Sequence, residues 1–127
     1  MKPDISSRKD LEIILSNFYT KLLMDEKMQP FFEEIVANNQ LEHHLEIITN
    51  FWEDILFDTT LYRNNTLQKH TDKHVFITFK EEHFTRWMSY LFEVIDTSFQ
   101  GLMVSKMKNR ATSIALVMKH KMNVYKK

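Results

Sequence analysis

Residues Leu41 to Phe57 read LEHHLEIITNFWEDILF, and their spacing predicts one long helix. His44, Ile48, Phe51, Trp52 and Ile55 recur at intervals of one, three and four and share one face, the pattern that draws an apolar stripe along a helix. A histidine therefore lies in line with large apolar side chains, where a polar ring costs free energy unless it is paired. His43, directly before it, points to another face and reads as a solvated residue.

Moving towards the N-terminus, Ala37-Asn38-Asn39-Gln40 forms a polar break, and Pro30 can open a short helix with Phe31 and Phe32 behind it. Before that, Ser7-Arg8-Lys9-Asp10 resembles a capping box with Ser7 as N-cap. The helix it opens carries Leu11, Leu15, Phe18 and Leu22 in one stripe, with Tyr19 beside Leu15 and Leu22, and should fade near Asp25.

Moving towards the C-terminus, Asp58 to Asn65 reads as a surface loop. Thr66-Leu67-Gln68-Lys69-His70-Thr71-Asp72-Lys73-His74 follows as a short polar helix, and Val75 to Lys80 as a second connection. From about Glu81 another helix puts Phe84, Trp87, Met88, Leu91 and Ile95 on one face, with His83 one turn before Trp87. Gly101 is expected to end or interrupt that helix as a C-cap would. A last helix carries Met103, Met107, Ala111, Ile114, Met118 and Met122.

Composition narrows the class. One glycine and two prolines in 127 residues lie far below the usual ~7% and ~5%, too few for the turns a sheet needs, so the chain is predicted to be all-α. The length fits a single domain spanning 1–127. Lys+Arg 17 against Asp+Glu 17 leaves no basic footprint for nucleic acid or a membrane surface. With no cysteine there is no disulfide, thiolate metal site or thiol nucleophile. No charged-then-apolar leader and no long apolar run is visible, so a cytoplasmic protein is expected.

Histidines and aromatics are what remain. His70 and His74 stand at i, i+4 and could chelate a metal, but zinc proteases place Glu after the first His, and here Thr71 stands there. Two solvated histidines on a polar turn explain the spacing equally well. Tyr19 and Trp87 are polar-tipped aromatics on apolar faces, a pattern that ordinary core residues also show. No phosphate-binding glycine loop or nucleophile elbow occurs, no repeated Glu-x-x-His motif lies on the long helices, and no carboxylate is read on an apolar face.

Several blocks recur in a fixed order: Asn17-Phe18-Tyr19, Gln29-Pro30-Phe31-Phe32, His43-His44-Leu45, Asn50-Phe51-Trp52, Lys69-His70, His83-Phe84-Thr85-Arg86-Trp87, Val94-Ile95-Asp96 and Arg110-Ala111-Thr112-Ser113-Ile114-Ala115. In that order the chain, from about Asp4 to Met122, resembles a group III truncated haemoglobin. The resemblance implies a two-over-two sandwich of helices around haem (iron protoporphyrin IX). It implies reversible binding of a diatomic gas, dioxygen first, with NO or CO as alternatives.

Residue by residue, the resemblance makes His70 the iron's proximal ligand. Tyr19, His44 and Trp87 become the residues facing the gas, with His44 expected at the pocket mouth as a gate. Ile48 and Trp52 would line the same cavity, and Phe32 would pack on the haem near its rim. Asn64 and Thr66 stand where the family often has Gly and Pro before the proximal histidine; Asn tolerates a left-handed turn and Thr66 can cap the short helix. No catalytic residue is assigned. A reductase is admitted as a partner, and the chain is expected as a monomer or weak homodimer. The competing readings are a haem-free globin-fold interaction or signalling module, and a haem enzyme acting on NO or peroxide.

Overall fold

The computed structural model describes residues 2–59 and 81–121, and every regular element among them is helical. In chain order these are α1 (Arg8–Met24), a 3-10 turn (Gln29–Phe32), α2 (Glu33–Ala37), α3 (Leu41–Phe57), α4 (Glu81–Ser98) and α5 (Leu102–Lys121). The segment carrying His70, His74, Asn64 and Thr66 lies outside the described residues, as does Met122.

Local chemistry accounts for most boundaries. Ser7 caps α1, its Oγ accepting from Asp10 N at 3.4 Å. The return contact differs from a capping box: Asp10 Oδ2 accepts from Ser6 N at 2.9 Å, one residue early. Pro30 sits at the start of the 3-10 turn, where a missing N–H removes nothing the helix would use. Asn39 and Asp58 take left-handed backbone, with φ of 57° and 59°, and bracket α3. Both residue types adopt that conformation more readily than other non-glycine residues.

Gly101 corrects an expectation. α4 ends at Ser98, and the Gly101 carbonyl accepts from Ser105 N at 3.1 Å, so this glycine opens α5 instead of closing α4. The side-chain acceptor for α5's first N–H groups comes from the far end of the chain. Asp4 Oδ2 accepts from Met103 N at 2.9 Å and Oδ1 from Val104 N at 3.1 Å. Gly101 has φ +145°, and a Cβ there would lie 2.7 Å from Asp4 Oδ2. Only glycine admits both the backbone angle and that close carboxylate.

The long helices pack as two pairs. α1 lies against α3 and α4 against α5; across the layers α1 meets α4 and α3 meets α5. This is a two-over-two sandwich. Its core draws Leu11, Ile14, Leu15, Phe18 and Leu22 from α1 and Ile48, Trp52 and Leu56 from α3. Phe84, Leu91, Val94 and Ile95 come from α4, and Val104, Met107, Ala111, Ala115 and Met118 from α5. No helix among the described residues is long and apolar enough to cross a membrane.

Candidate functional site

Tyr19 sits where α1, α3 and the 3-10 turn converge. It follows Leu15 by one turn, so the stripe that builds the core also carries its phenol inward, leaving the residue 4% exposed. Its hydroxyl lies 2.9 Å from His44 Nε2 on α3, and the two rings meet edge to face. Phe32, from the 3-10 turn, stands 5.3 Å from the Tyr19 ring at 66°. Burial pushes the Tyr19 phenol well above its usual pKa, so it remains an O–H donor across the range in which proteins are handled.

Trp87 enters from the other layer. Phe18, next to Tyr19, touches both the Tyr19 ring at 5.5 Å and the Trp87 ring at 5.8 Å, each nearly perpendicular. Trp87 is therefore one aromatic ring removed from Tyr19. Ile48 and Trp52 are buried on α3, one and two turns beyond His44. His70 lies outside the described residues.

Of the seven residues expected to surround a cofactor, the structure puts Tyr19 in direct contact with both His44 and Phe32 and couples Trp87 to Tyr19 through Phe18. His44 is half-buried and paired with Tyr19, so turning its ring outward, as a gate would, gives up that hydrogen bond. His43 is exposed, as expected, with Glu46 3.9 Å from its Nδ1. His83 is buried against the Phe31 edge, with centroids 4.9 Å apart.

One polar cluster overturns the reading that no carboxylate lies on an apolar face. Asp25 follows Leu22 by three residues, continues the α1 stripe and has a side chain only 5% exposed. It accepts from Arg86 Nη1 at 2.6 Å, from the Tyr90 hydroxyl and from Lys27 N at 2.8 Å. Burial opposes its ionisation, but hydrogen bonds from Tyr90, Lys27 N, Arg86 and Met28 N outweigh it and hold its pKa at about 2. The signal present in the sequence was the i+3 spacing from Leu22; its partners on α4 are 61 and 65 residues away.

A cleft of about 800 Å³ opens between α1 and α3, with Arg8, Glu12, Ser16, Glu42, His43 and Glu46 on its polar rim. It contains none of the candidate residues. Elsewhere on these helices, Phe51 and Ile55 on α3 and Trp87 and Met88 on α4 are large apolar side chains that are only partly buried.

No family model matches the chain. Among curated proteins it is similar to the Group 3 truncated hemoglobin ctb of Campylobacter jejuni subsp. jejuni serotype O:2. The two are 26% identical over 117 residues, covering 91% of this chain and 90% of the relative. Among solved structures it is similar to the group III truncated hemoglobin from Campylobacter jejuni. The TM-score is 0.87 at 23% identity, covering 100% of this chain and 99% of the other. The fold is that of a truncated globin. Within that class the chain resembles the group III truncated haemoglobins, over almost its whole length.

Proposed function

We propose that this chain is a haem-binding globin that reversibly holds a diatomic gas, dioxygen first, with His70 as the protein ligand to iron. The observation that carries the reading is the Tyr19–His44 pair: a buried phenol and an imidazole meeting at 2.9 Å, within a truncated-globin fold. Haem, if held by His70, would supply an iron able to bind a diatomic gas.

The chain's own residues supply the rest. Tyr19 has a single hydroxyl hydrogen. If His44 carries its proton on Nε2, His44 donates to the Tyr19 oxygen, and the Tyr19 hydrogen is free to donate to the gas. With the opposite tautomer, Tyr19 donates to His44 and must leave it to serve the gas. Trp87 offers a second donor through its indole N–H. Phe32, Ile48 and Trp52 supply apolar surface that excludes water and strengthens any hydrogen bond made inside.

The decisive experiment is spectral. Purified protein should carry a Soret band with haem near one per chain, and His70→Ala should abolish or scramble haem uptake. Full haem content with an unchanged ferrous spectrum in that variant would remove His70 from the assignment. If only His74→Ala abolished binding, the ligand would move one helical turn. Wild-type protein that takes up no haem would favour the haem-free interaction module.

A further inference from the structure

Four features of α1, the turn after it and α4 meet at one carboxylate. Asp25 Oδ1 accepts from Lys27 N at 2.8 Å and Met28 N at 3.2 Å, which shapes the turn leaving α1. Its backbone carbonyl accepts from Gln29 N at 2.8 Å and Met28 N at 3.1 Å, so the same residue sets the direction of the chain into Pro30, Phe31 and Phe32. Its Oδ2 accepts from Arg86 Nη1 at 2.6 Å and from the Tyr90 hydroxyl, one turn apart on α4. An exposed ion pair, Lys27 Nζ to Glu82 Oε2 at 3.4 Å, ties the same turn to the same helix again.

These attachments have a common geometry. Arg86 is peptide-bonded to Trp87. Tyr19 lies on α1 six residues before Asp25, which caps that helix, and Phe32 lies seven after it. Two bonds to one helix, from a carboxylate that is itself fixed by two backbone N–H groups, restrain both rotation and sliding of α4 against α1. A surface ion pair alone would not do this, since exposed pairs hold their geometry weakly. The Asp25 side chain is shielded, and its hydrogen bonds are charge-assisted.

We propose that Asp25 is a positioning residue of the candidate site: its carboxylate holds α1, the following turn and α4 in the placement that sets Tyr19, Phe32 and Trp87 against one another. Its effect on a gas ligand rests on the haem reading above; its effect on Trp87 does not. Loss of the carboxylate lets α4 shift and carries the indole ring, and its N–H with it, away from its edge-to-face contact with Phe18. A misplaced donor weakens hydrogen bonding to the gas while leaving the apolar wall in place.

The test uses full-length Asp25→Asn, labelled with fluorotryptophan. Fluorine NMR then shows Trp52 and Trp87, the two tryptophans, and Trp87→Phe assigns them. The Trp87 resonance should move in Asp25→Asn while the Trp52 resonance stays in place, with or without haem. In the haem-loaded protein dioxygen should leave about three- to tenfold faster, the range expected for one weakened hydrogen bond, and carbon monoxide within about twofold of wild type. A folded variant of lower stability, with the Trp87 resonance and both release rates unchanged, would reduce Asp25 to a structural residue and overturn the proposal. Equal acceleration of both gases would overturn it too. If Asp25→Asn does not fold, Arg86→Met and Tyr90→Phe each remove one attachment. Each should then shift Trp87 by a smaller amount, and an unmoved resonance in both overturns it. Protein that takes up no haem defeats the functional reading alone, because the Trp87 resonance still decides the positioning.

Discussion

At the scale of single residues, the Tyr19 hydroxyl carries the sharpest consequence. Tyr19→Phe removes one oxygen and almost no volume, leaving Phe32 and Phe18 in contact with the ring. If that hydroxyl serves the gas, dioxygen release should accelerate about three- to tenfold, the equivalent of one hydrogen bond. Carbon monoxide, which develops less negative charge when bound, should respond less. Stopped-flow replacement of each gas measures both, and equal effects would make Tyr19 a shape-setting residue only. Asp25 makes a separate claim on pH. Its folded-state pKa of about 2 lies below the ordinary 3.8, so it contributes stability that is complete above 3.8 and lost as pH falls through 2. Each pKa unit corresponds to ~1.4 kcal/mol, which puts the contribution at roughly 2–3 kcal/mol. Urea unfolding at pH 7 and pH 3 should show a smaller loss on acidification in Asp25→Asn than in wild type. An identical loss in both would remove Asp25 from the acid response.

At the scale of elements, the start of α5 depends on two residues from opposite ends of the chain. Asp4 supplies acceptors to Met103 N and Val104 N, and Gly101 makes room for it at φ +145°. Asp4→Ala should cost about 1 kcal/mol, as loss of a helix cap does. Gly101→Ala should cost about 1–3 kcal/mol, from backbone strain and collision with the Asp4 carboxylate. Asp4→Ala removes the carboxyl part of the collision and leaves the Asp4 Cβ 2.8 Å from the added Cβ, so the relief is partial and the double variant should lose somewhat less than the two single losses added together. Urea midpoints at constant slope give the three values, and strict additivity would mean that the glycine serves its backbone angle alone. α3 shows the complementary case. Spacing placed Ile48 and Trp52 on its inward face, because burial on one face follows helical period, but the face is completed by Thr49 and Leu56, while His44, Phe51 and Ile55 lie half-buried at its edge.

At the scale of the whole molecule, a cofactor between the layers would be part of the stability. A ligand that binds the folded chain and not the unfolded one stabilises it by about 2.7 kcal/mol at a hundred times its dissociation constant. For a domain of this size that raises Tm by roughly 10 °C. Haem-extracted protein should therefore melt well below the loaded form and recover on reconstitution. His70→Ala should fail to recover, and a Tm indifferent to haem in wild type would argue that haem is not seated between the helices.

The helical class, the positions of the four long helices and the inward stripe of α1 were legible in the residues alone, as were parts of the inward faces of α3 and α4. Those follow from local rules: period, caps, and a supply of turn residues too small for a sheet. The sequence also marked Tyr19, His44 and Trp87 as polar-tipped residues on apolar faces. Resemblance to a known family joined them to His70, which spacing did not separate from His74. Tertiary structure alone decided what each polar tip meets. The Tyr19 and His44 pairing spans 25 residues, the Asp25 attachments to α4 span 61 and 65, and Asp4 caps a helix 99 positions away. Gly101 was misread for the same reason: its role is to admit a carboxylate from the other end of the chain, and no local pattern records that. A buried polar group must find a partner, but sequence states only the need; packing the two layers together selects which partner answers it.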